Sequence, residues 1–332
     1  MKRHIVIAAL KFAFFILYSS FSFAQLKWQN VDSLYQPLPS SVHVYFTNTQ
    51  IDSGLFRAYY LIADLKDKKL DFTVDTSKDR RLTPLKFYER NNKPLAVVNC
   101  TFFSYETNRS VSVVVKDGKI VSHNEAVKGR GGDSLRQYYY FKGAIGIFRN
   151  RKADVAWLGT NPVLKYAIAY QSPRTRAERG KLPSENSVTY NDSSNNFNKR
   201  KINGHVDSRW KVYTAVGGGP VLVQENNIMI TNNQEGMFTG KAINDKHPRT
   251  SMGYTKDGKL IILVIEGRNK QASGATLTQE ARIFKDLGCW EALNLDGGGS
   301  SCLLVNGKET IKVSDAAGQR PVPAVFLIKN RD

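Results

Sequence analysis

The sequence predicts an α+β fold: a single strand-rich domain with a mixed β-sheet and few helices. Three observations carry this prediction. Short runs rich in β-branched and aromatic residues recur along the chain. Two-residue turn signals, Asp117–Gly118, Asp257–Gly258 and Asn306–Gly307, punctuate them. Only two segments carry helix start and stop signals.

The elements follow in chain order. Met1–Lys2–Arg3 is a basic start, and Ile5 to Tyr18 is apolar except for Lys11. Ser22–Phe23–Ala24 then supplies small residues at the −3 and −1 positions of a cleavage site. Residues 1–24 thus read as a secretory signal, since Lys11 interrupts the run and a span needs about 20 apolar residues. The expected product is exported, periplasmic or secreted, with no transmembrane span after cleavage. Residues 25–90 hold N-terminal strands at Val42–Phe46, Ala58–Ala63 and Asp71–Val74, then a helix near Thr83–Arg90 with Pro84 in its first turn. Residues 91–332 form the core, opening on a strand at Leu95–Asn99. Val111–Val115 and Leu260–Ile265 are strands flanking turns, the second apolar enough to be buried on both faces. Thr276 and Gln279 form a capping box, Leu277, Ala281, Phe284 and Leu287 make one apolar stripe, and Gly288 ends the helix. A polar insertion near 172–210 fits the rim of a site or a flexible excursion.

Composition narrows the function. The chain has 332 residues, 41% of them hydrophobic and 23% charged, which excludes both a disordered chain and a multi-span membrane protein. Its 48 Lys+Arg against 29 Asp+Glu give a net charge of +19. That balance favours polyanionic partners: phosphorylated glycans, acidic polysaccharides or membrane surfaces. Export argues against nucleic acid. Cys100, Cys289 and Cys302 are too few for a disulfide framework or a four-cysteine zinc site, and read as buried thiols. No HExxH or Cys/His spacing marks a metal site. No P-loop or GxGxxG spacing marks a nucleotide cofactor. A divalent cation held between Asp and phosphate has no support in the sequence.

Three glycine-rich segments end strand signals: Gly217–Gly218–Gly219–Pro220, Pro248–Arg249–Thr250–Ser251–Met252–Gly253, and Asn294–Leu295–Asp296–Gly297–Gly298–Gly299–Ser300–Ser301. Consecutive glycines leave backbone N–H groups open to a ligand, or else make a sharp turn between packed strands. Asp296 favours the former at its own segment, because a carboxylate at a strand tip beside bare backbone suits a catalytic acid or a ligand clamp.

These segments resemble the motifs of the phosphodiester glycosidase family. Asn294–Ser301 is similar to its signature, Val98–Asn99–Cys100–Thr101–Phe102–Phe103 to its Asn-Gly-x-Phe-Phe element, and Gly217–Pro220 to its Gly-Gly-Pro turn. Pro248–Gly253, Glu266–Gly267–Arg268 and Arg320–Pro321–Val322–Pro323 resemble three further elements in the same order. Cys100, Glu266 and Cys302 depart from the usual glycine, aspartate and threonine. The resemblance implies hydrolysis of a sugar C1–O bond with a phosphate monoester leaving, on an exported or cell-envelope glycan.

Residue chemistry fits that reaction. A phosphate leaving group has a second pKa near about 6, so it needs charge neutralisation more than a proton. Arg249 and Arg268 each offer a planar fork, or else form structural ion pairs with Glu266 or Asp296. Gly217, Gly218, Gly219, Gly297, Gly298 and Gly299 offer backbone donors. Asp296 is the first candidate carboxylate and Glu266 the second. Asn99 suits a sugar hydroxyl, Asp296 or a strand-end turn, Thr250 a phosphate oxygen or the pleat, and Ser300 hydrogen bonding to substrate or capping. Phe102–Phe103 reads as a sugar platform or as core. The rival from another class is a non-catalytic binding protein for phosphorylated or acidic glycans. A phosphodiesterase cutting P–O is a third.

Overall fold

The computed structural model describes residues 26–128, 137–174, 177–178 and 208–331. The expected signal at 1–24 lies outside these residues, as does most of the expected polar insertion. Of the insertion's described parts, Ala177–Glu178 pairs with Tyr138 and Tyr139, and Ser208–Trp210 pairs with Ala167–Ala169.

The described residues form four sheets and few helices. The largest has eight strands, in the spatial order Gln29–Asn30, Val42–Thr47, Ala58–Asp64, Lys259–Ile265, Arg249–Thr255, Cys289–Asn294, Val221–Gln224 and Asn227–Ile228. A seven-stranded sheet is built around Lys142–Ile147, which lies between Ala153–Gly159 and Thr214–Gly217. A five-stranded sheet runs from Lys308–Glu309 through Leu303–Val305, Ala96–Asn99 and Ala324–Asn330 to Leu70–Thr76. Three short strands, Val127–Lys128, Gln137–Tyr139 and Ala177–Glu178, make the fourth.

Every strand pair among the described residues is antiparallel, so the expected mixed sheet is corrected. The reason is an insertion. The helix Pro84–Arg90 links Leu70–Thr76 to Ala96–Asn99, a connection that would ordinarily place two parallel strands side by side. Here Ala324–Asn330 enters between them and pairs antiparallel with both. The helix Leu277–Asp286 links Lys259–Ile265 to Cys289–Asn294 in the same way, and Arg249–Thr255 fills that gap. The crossovers are visible in sequence, but the intervening strands come from distant segments.

Burial follows the pleat. Leu260, Ile262 and Val264 face a central core that also holds Ile145 and Trp157 of the seven-stranded sheet and Val98 and Phe326 of the five-stranded sheet. Ile261, Leu263 and Ile265 on the other face pack against Leu277, Ala281 and Phe284 of the helix. Phe87 of the helix Pro84–Arg90 covers Val97, Val325 and Leu327 on the outer face of the five-stranded sheet. Asp117 and Gly118, and Asn306 and Gly307, all take the positive φ that tight hairpin turns demand.

The helix Leu277–Asp286 starts on the predicted box. Thr276 Oγ1 accepts from the Gln279 N–H at 3.2 Å, and Gln279 Oε1 accepts from the Thr276 N–H at 3.0 Å. Replacing Thr276 by Ala removes one of these bonds and is expected to cost about 1 kcal/mol, read as a lowered denaturation midpoint with an unchanged slope.

Candidate active site

The tips of four strands meet at one end of the two larger crossover units. Ala96–Asn99 runs out into Cys100, Cys289–Asn294 into Leu295–Asp296, and Lys259–Ile265 into Glu266. Arg249–Thr255 begins there, with Arg249 opposite Ile265 and Ser251 opposite Asn294. Asp296 joins the sheets. Its N–H donates to the Cys100 carbonyl at 2.8 Å, and its carbonyl accepts from Asn99 Nδ2 at 2.5 Å. The Leu295 N–H donates to the Thr250 carbonyl at 2.8 Å, and the Gly298 N–H to the Pro248 carbonyl at 2.8 Å. The loop bearing Asp296 is thus fixed from both sides.

Asp296 is partly accessible, yet protein packs densely around its carboxyl group. Burial pushes its pKa up to about 7, tempered by the Ser300 hydroxyl and then by the Arg320 guanidinium. Gly298–Ser300 curls into one turn of 3₁₀ helix. The N–H groups of Gly297 and Gly299 donate to no acceptor among the described residues. A Cβ on Gly298 would stand 3.3 Å from both terminal nitrogens of Arg268, and one on Gly299 would run into Arg320 and Asp315. Glycine at 299 is therefore what lets a guanidinium lie against the loop. Arg320 is itself held by a bidentate pair with Asp315, at 2.7 and 2.8 Å. Arg268 is exposed at φ +60° and lies 3.3 Å from His247 Nδ1. Burial, then the charges of Arg249 and Arg268, holds His247 below its usual pKa, which leaves the ring neutral at pH 7.

Several predicted site residues are turned inward. Glu266 is 2% exposed; Oε1 accepts from Asn269 Nδ2 at 3.0 Å, and Oε2 accepts from the Lys312 N–H at 3.2 Å and pairs with Arg57 Nε at 3.6 Å. In this structure Glu266 sits in a buried ion pair, with Arg57 as a partner that local sequence does not indicate. Arg249 is 3% exposed, and its Nε and Nη2 donate to the Ala275 and Asp245 carbonyls at 3.0 and 3.2 Å. It ties two loops together, and the guanidinium groups that lie against the glycine loop are those of Arg268 and Arg320. Gly217, Gly218 and Gly219 are buried, and their N–H groups donate to the carbonyls of Val113, Gly143 and Asn294. A Cβ at Gly218 would run into the Asn294 carbonyl, so this turn serves packing and offers no free donor.

Asn99 and Thr250 are fully buried. Thr250 Oγ1 donates to Asn99 Oδ1 at 2.9 Å, and the Cys302 N–H donates to the same oxygen at 3.0 Å. Asn99 holds the Asp296 backbone, Thr250 holds Asn99, and neither side chain reaches solvent. Ser300 is buried beside the Asp296 carboxyl. Phe102 meets Phe238 edge-on at 6.1 Å, and Arg81 lies over Phe103 and the exposed Tyr105 at 5.4 and 4.7 Å. All three cysteines are buried free thiols. No cluster of three His, Cys, Asp or Glu side chains suited to a metal occurs among the described residues.

Arg320 lies against the glycine loop although nothing local in the sequence marks it for that place. Its motif, Arg320–Pro321–Val322–Pro323, is visible, but its approach to Gly299 exists only in the fold.

Antiparallel sheets twice split by an inserted strand, with an Asp-Gly-Gly-Gly loop lying between two arginines at the strand tips, define the class of fold. Residues 92–329 match the phosphodiester glycosidase family, and the chain belongs to that family. It is 42% identical over 91 residues to the SPbeta prophage-derived uncharacterized protein YomE of Bacillus subtilis, covering 27% of this chain and 14% of that one. It is 33% identical over 94 residues to the N-acetylglucosamine-1-phosphodiester alpha-N-acetylglucosaminidase of Mus musculus, covering 26% of this chain and 18% of that one. The matched part therefore spans less than a fifth of either relative. The fold is similar to the zebrafish N-acetylglucosamine-1-phosphodiester alpha-N-acetylglucosaminidase catalytic domain, auto-inhibited by its pro-peptide, with a TM-score of 0.57 at 18% identity over 89% of this chain and 85% of that one. Among the described residues no helix is long and apolar enough to cross a membrane.

Proposed function

We propose that this protein hydrolyses glycosyl-phosphodiesters at the sugar C1–O bond, acting on an exported glycan. The observation that carries the reading is the Asp296 carboxyl, pushed up to about 7, set beside two glycine N–H groups that have no acceptor among the described residues, with Arg268 and Arg320 against the same loop. The two guanidinium groups and the N–H groups bind the phosphate and neutralise the charge it gains on departure. Asp296, as the carboxylate, takes a proton from the attacking water. The water oxygen bonds to C1, the C1–O bond breaks, and its electron pair leaves on the phosphate monoester. His247, neutral and accepting from Arg268 through Nδ1, keeps that guanidinium turned toward the loop.

The test is incubation with a sugar-1-phosphodiester in ¹⁸O-labelled water. Labelled free sugar supports C1–O cleavage; label in the phosphate would mean P–O cleavage. With Glu266 engaged elsewhere and Asp315 paired with Arg320, Asp296 is the carboxylate left for the chemistry, and this favours one rival: a non-catalytic binder of phosphorylated glycans. That rival predicts ligand retention with no free sugar. Arg268 is exposed, so Arg268→Ala is expected to fold normally and raise KM for the phosphodiester about tenfold or more. An unchanged KM would remove Arg268 from the phosphate site.

A further inference from the structure

At the opposite end of the sheets lies a cleft of about 220 Å³ lined by Arg149, Arg151, Arg331, Tyr213, Phe72 and Asp71, among others. Its place follows from strand register. Val325 pairs with Asn99 at the Asp296 end, whereas Asn330 pairs with Leu70 beside the cleft. Six residues of extended strand separate Val325 from Arg331, about 20 Å.

The cleft gathers positive charge. Arg331 Nη2 pairs with Asp71 Oδ1 at 2.6 Å, and this is the one carboxylate lining the cleft. Arg151 Nη2 donates to the Leu70 carbonyl at 2.8 Å, and its guanidinium lies 5.5 Å from the Phe72 ring centre. Arg149 is exposed, stacks 4.3 Å from the Tyr213 ring centre and pairs with no carboxylate among the described residues. Three guanidinium groups thus surround Asp71, with Asp117 hydrogen-bonded to the Tyr213 hydroxyl and Asp67 near Arg151 as the further carboxylates. Burial first, then the nearby Arg331 charge, holds Arg151 below its usual pKa although Asp71 and Asp67 oppose this, and a bound anion would favour the charged guanidinium further. Two of the arginines are pinned in place, so little side-chain freedom is lost on binding. The volume falls below the roughly 300 Å³ at which drug-sized ligand pockets begin. It suits one ring with one anionic group, with the Arg149-backed Tyr213 ring at its edge.

We propose that this cleft is a second binding site, separate from the Asp296 site, for a sugar unit that carries an oxyanion. The sugar is either a free sugar phosphate or an acidic unit of a glycan chain, since a guanidinium fork binds phosphate, sulfate and carboxylate alike.

Calorimetric titration of the full chain tests this with glucose 6-phosphate, glucose, inorganic phosphate and a heparin-derived tetrasaccharide. Binding of glucose 6-phosphate or the tetrasaccharide is expected, and the tighter of the two identifies the source. Arg149→Glu should weaken that binding about tenfold or more, and Arg149→Ala by less. Both variants should turn over a small phosphodiester at the wild-type rate, because Arg149 lies far from Asp296. Arg268→Ala should leave the Arg149-dependent binding intact. The proposal is overturned if Arg149→Glu binds as wild type does, if only Arg268→Ala abolishes binding, or if inorganic phosphate binds as tightly as glucose 6-phosphate.

Discussion

Asp296→Asn is expected to slow sugar release from a glycosyl-phosphodiester by about 10³-fold while leaving the fold intact. The amide keeps the side chain's shape but cannot take a proton from water. The arginines and glycine N–H groups still bind the phosphate, so KM should change far less than kcat. The wild-type rate should rise with pH through about 7 and level off above it, because the ionised carboxylate is the active form. In Asp296→Asn that inflection should vanish from the residual rate. Stability supplies an independent readout. The folded-state pKa of Asp296 lies above its unfolded value, so its contribution is fully present below about 4 and is lost as pH rises through about 7. The variant removes that loss and should be more stable than wild type at pH 8, by about 1–3 kcal/mol once partial water access is allowed for. An inactive variant that also melts early would indicate misfolding and would refute the assignment as a purely catalytic effect. A fully active one would remove Asp296 from the chemistry.

What local chemistry decides was legible in the sequence. The turns at Asp117–Gly118 and Asn306–Gly307 and the box at Thr276 and Gln279 depend on residues within four positions of each other, and they stand where the sequence places them. The strand-tip position of Asp296 was legible for the same reason: an apolar run stops and glycines begin. Partnerships across the chain were not. Glu266 meets Arg57, and Arg249 meets the Ala275 carbonyl, through contacts set by sheet order. Gly217–Gly219 and Gly297–Gly299 look alike as sequence. The first lies between strands whose carbonyls take all its N–H groups, whereas the second leaves the sheet and keeps two free. The difference is topological, and composition carries no trace of it.

The largest stability effect is expected at Glu235, a residue no motif marks. It is fully buried in the short helix Asn232–Glu235, and four donors converge on it. Oε2 accepts from the Gly143 N–H at 2.7 Å, and Oε1 from the Val221 N–H at 2.8 Å, Trp157 Nε1 at 3.2 Å and the Thr231 hydroxyl. Burial pushes its pKa up, while these donors oppose the rise. The carboxyl group links the two larger sheets at the Gly217–Pro220 turn; Val221 belongs to the eight-stranded sheet and Gly143 to the seven-stranded one. Glu235→Gln places an N–H₂ donor where acceptors are needed and should cost about 2 kcal/mol. Glu235→Ala leaves all four donors unpaired and should cost about 4 kcal/mol, a large share of the roughly 5–15 kcal/mol that holds a folded domain. Denaturant unfolding should rank the three proteins in that order. The damage should also reach the active site. The Gly219 N–H donates to the Asn294 carbonyl, Asn294 Nδ2 donates to the Gly219 carbonyl at 2.7 Å, and Asp296 follows two residues later. Equal stability of wild type and Glu235→Ala would show that the sheets hold together at this turn without the carboxylate.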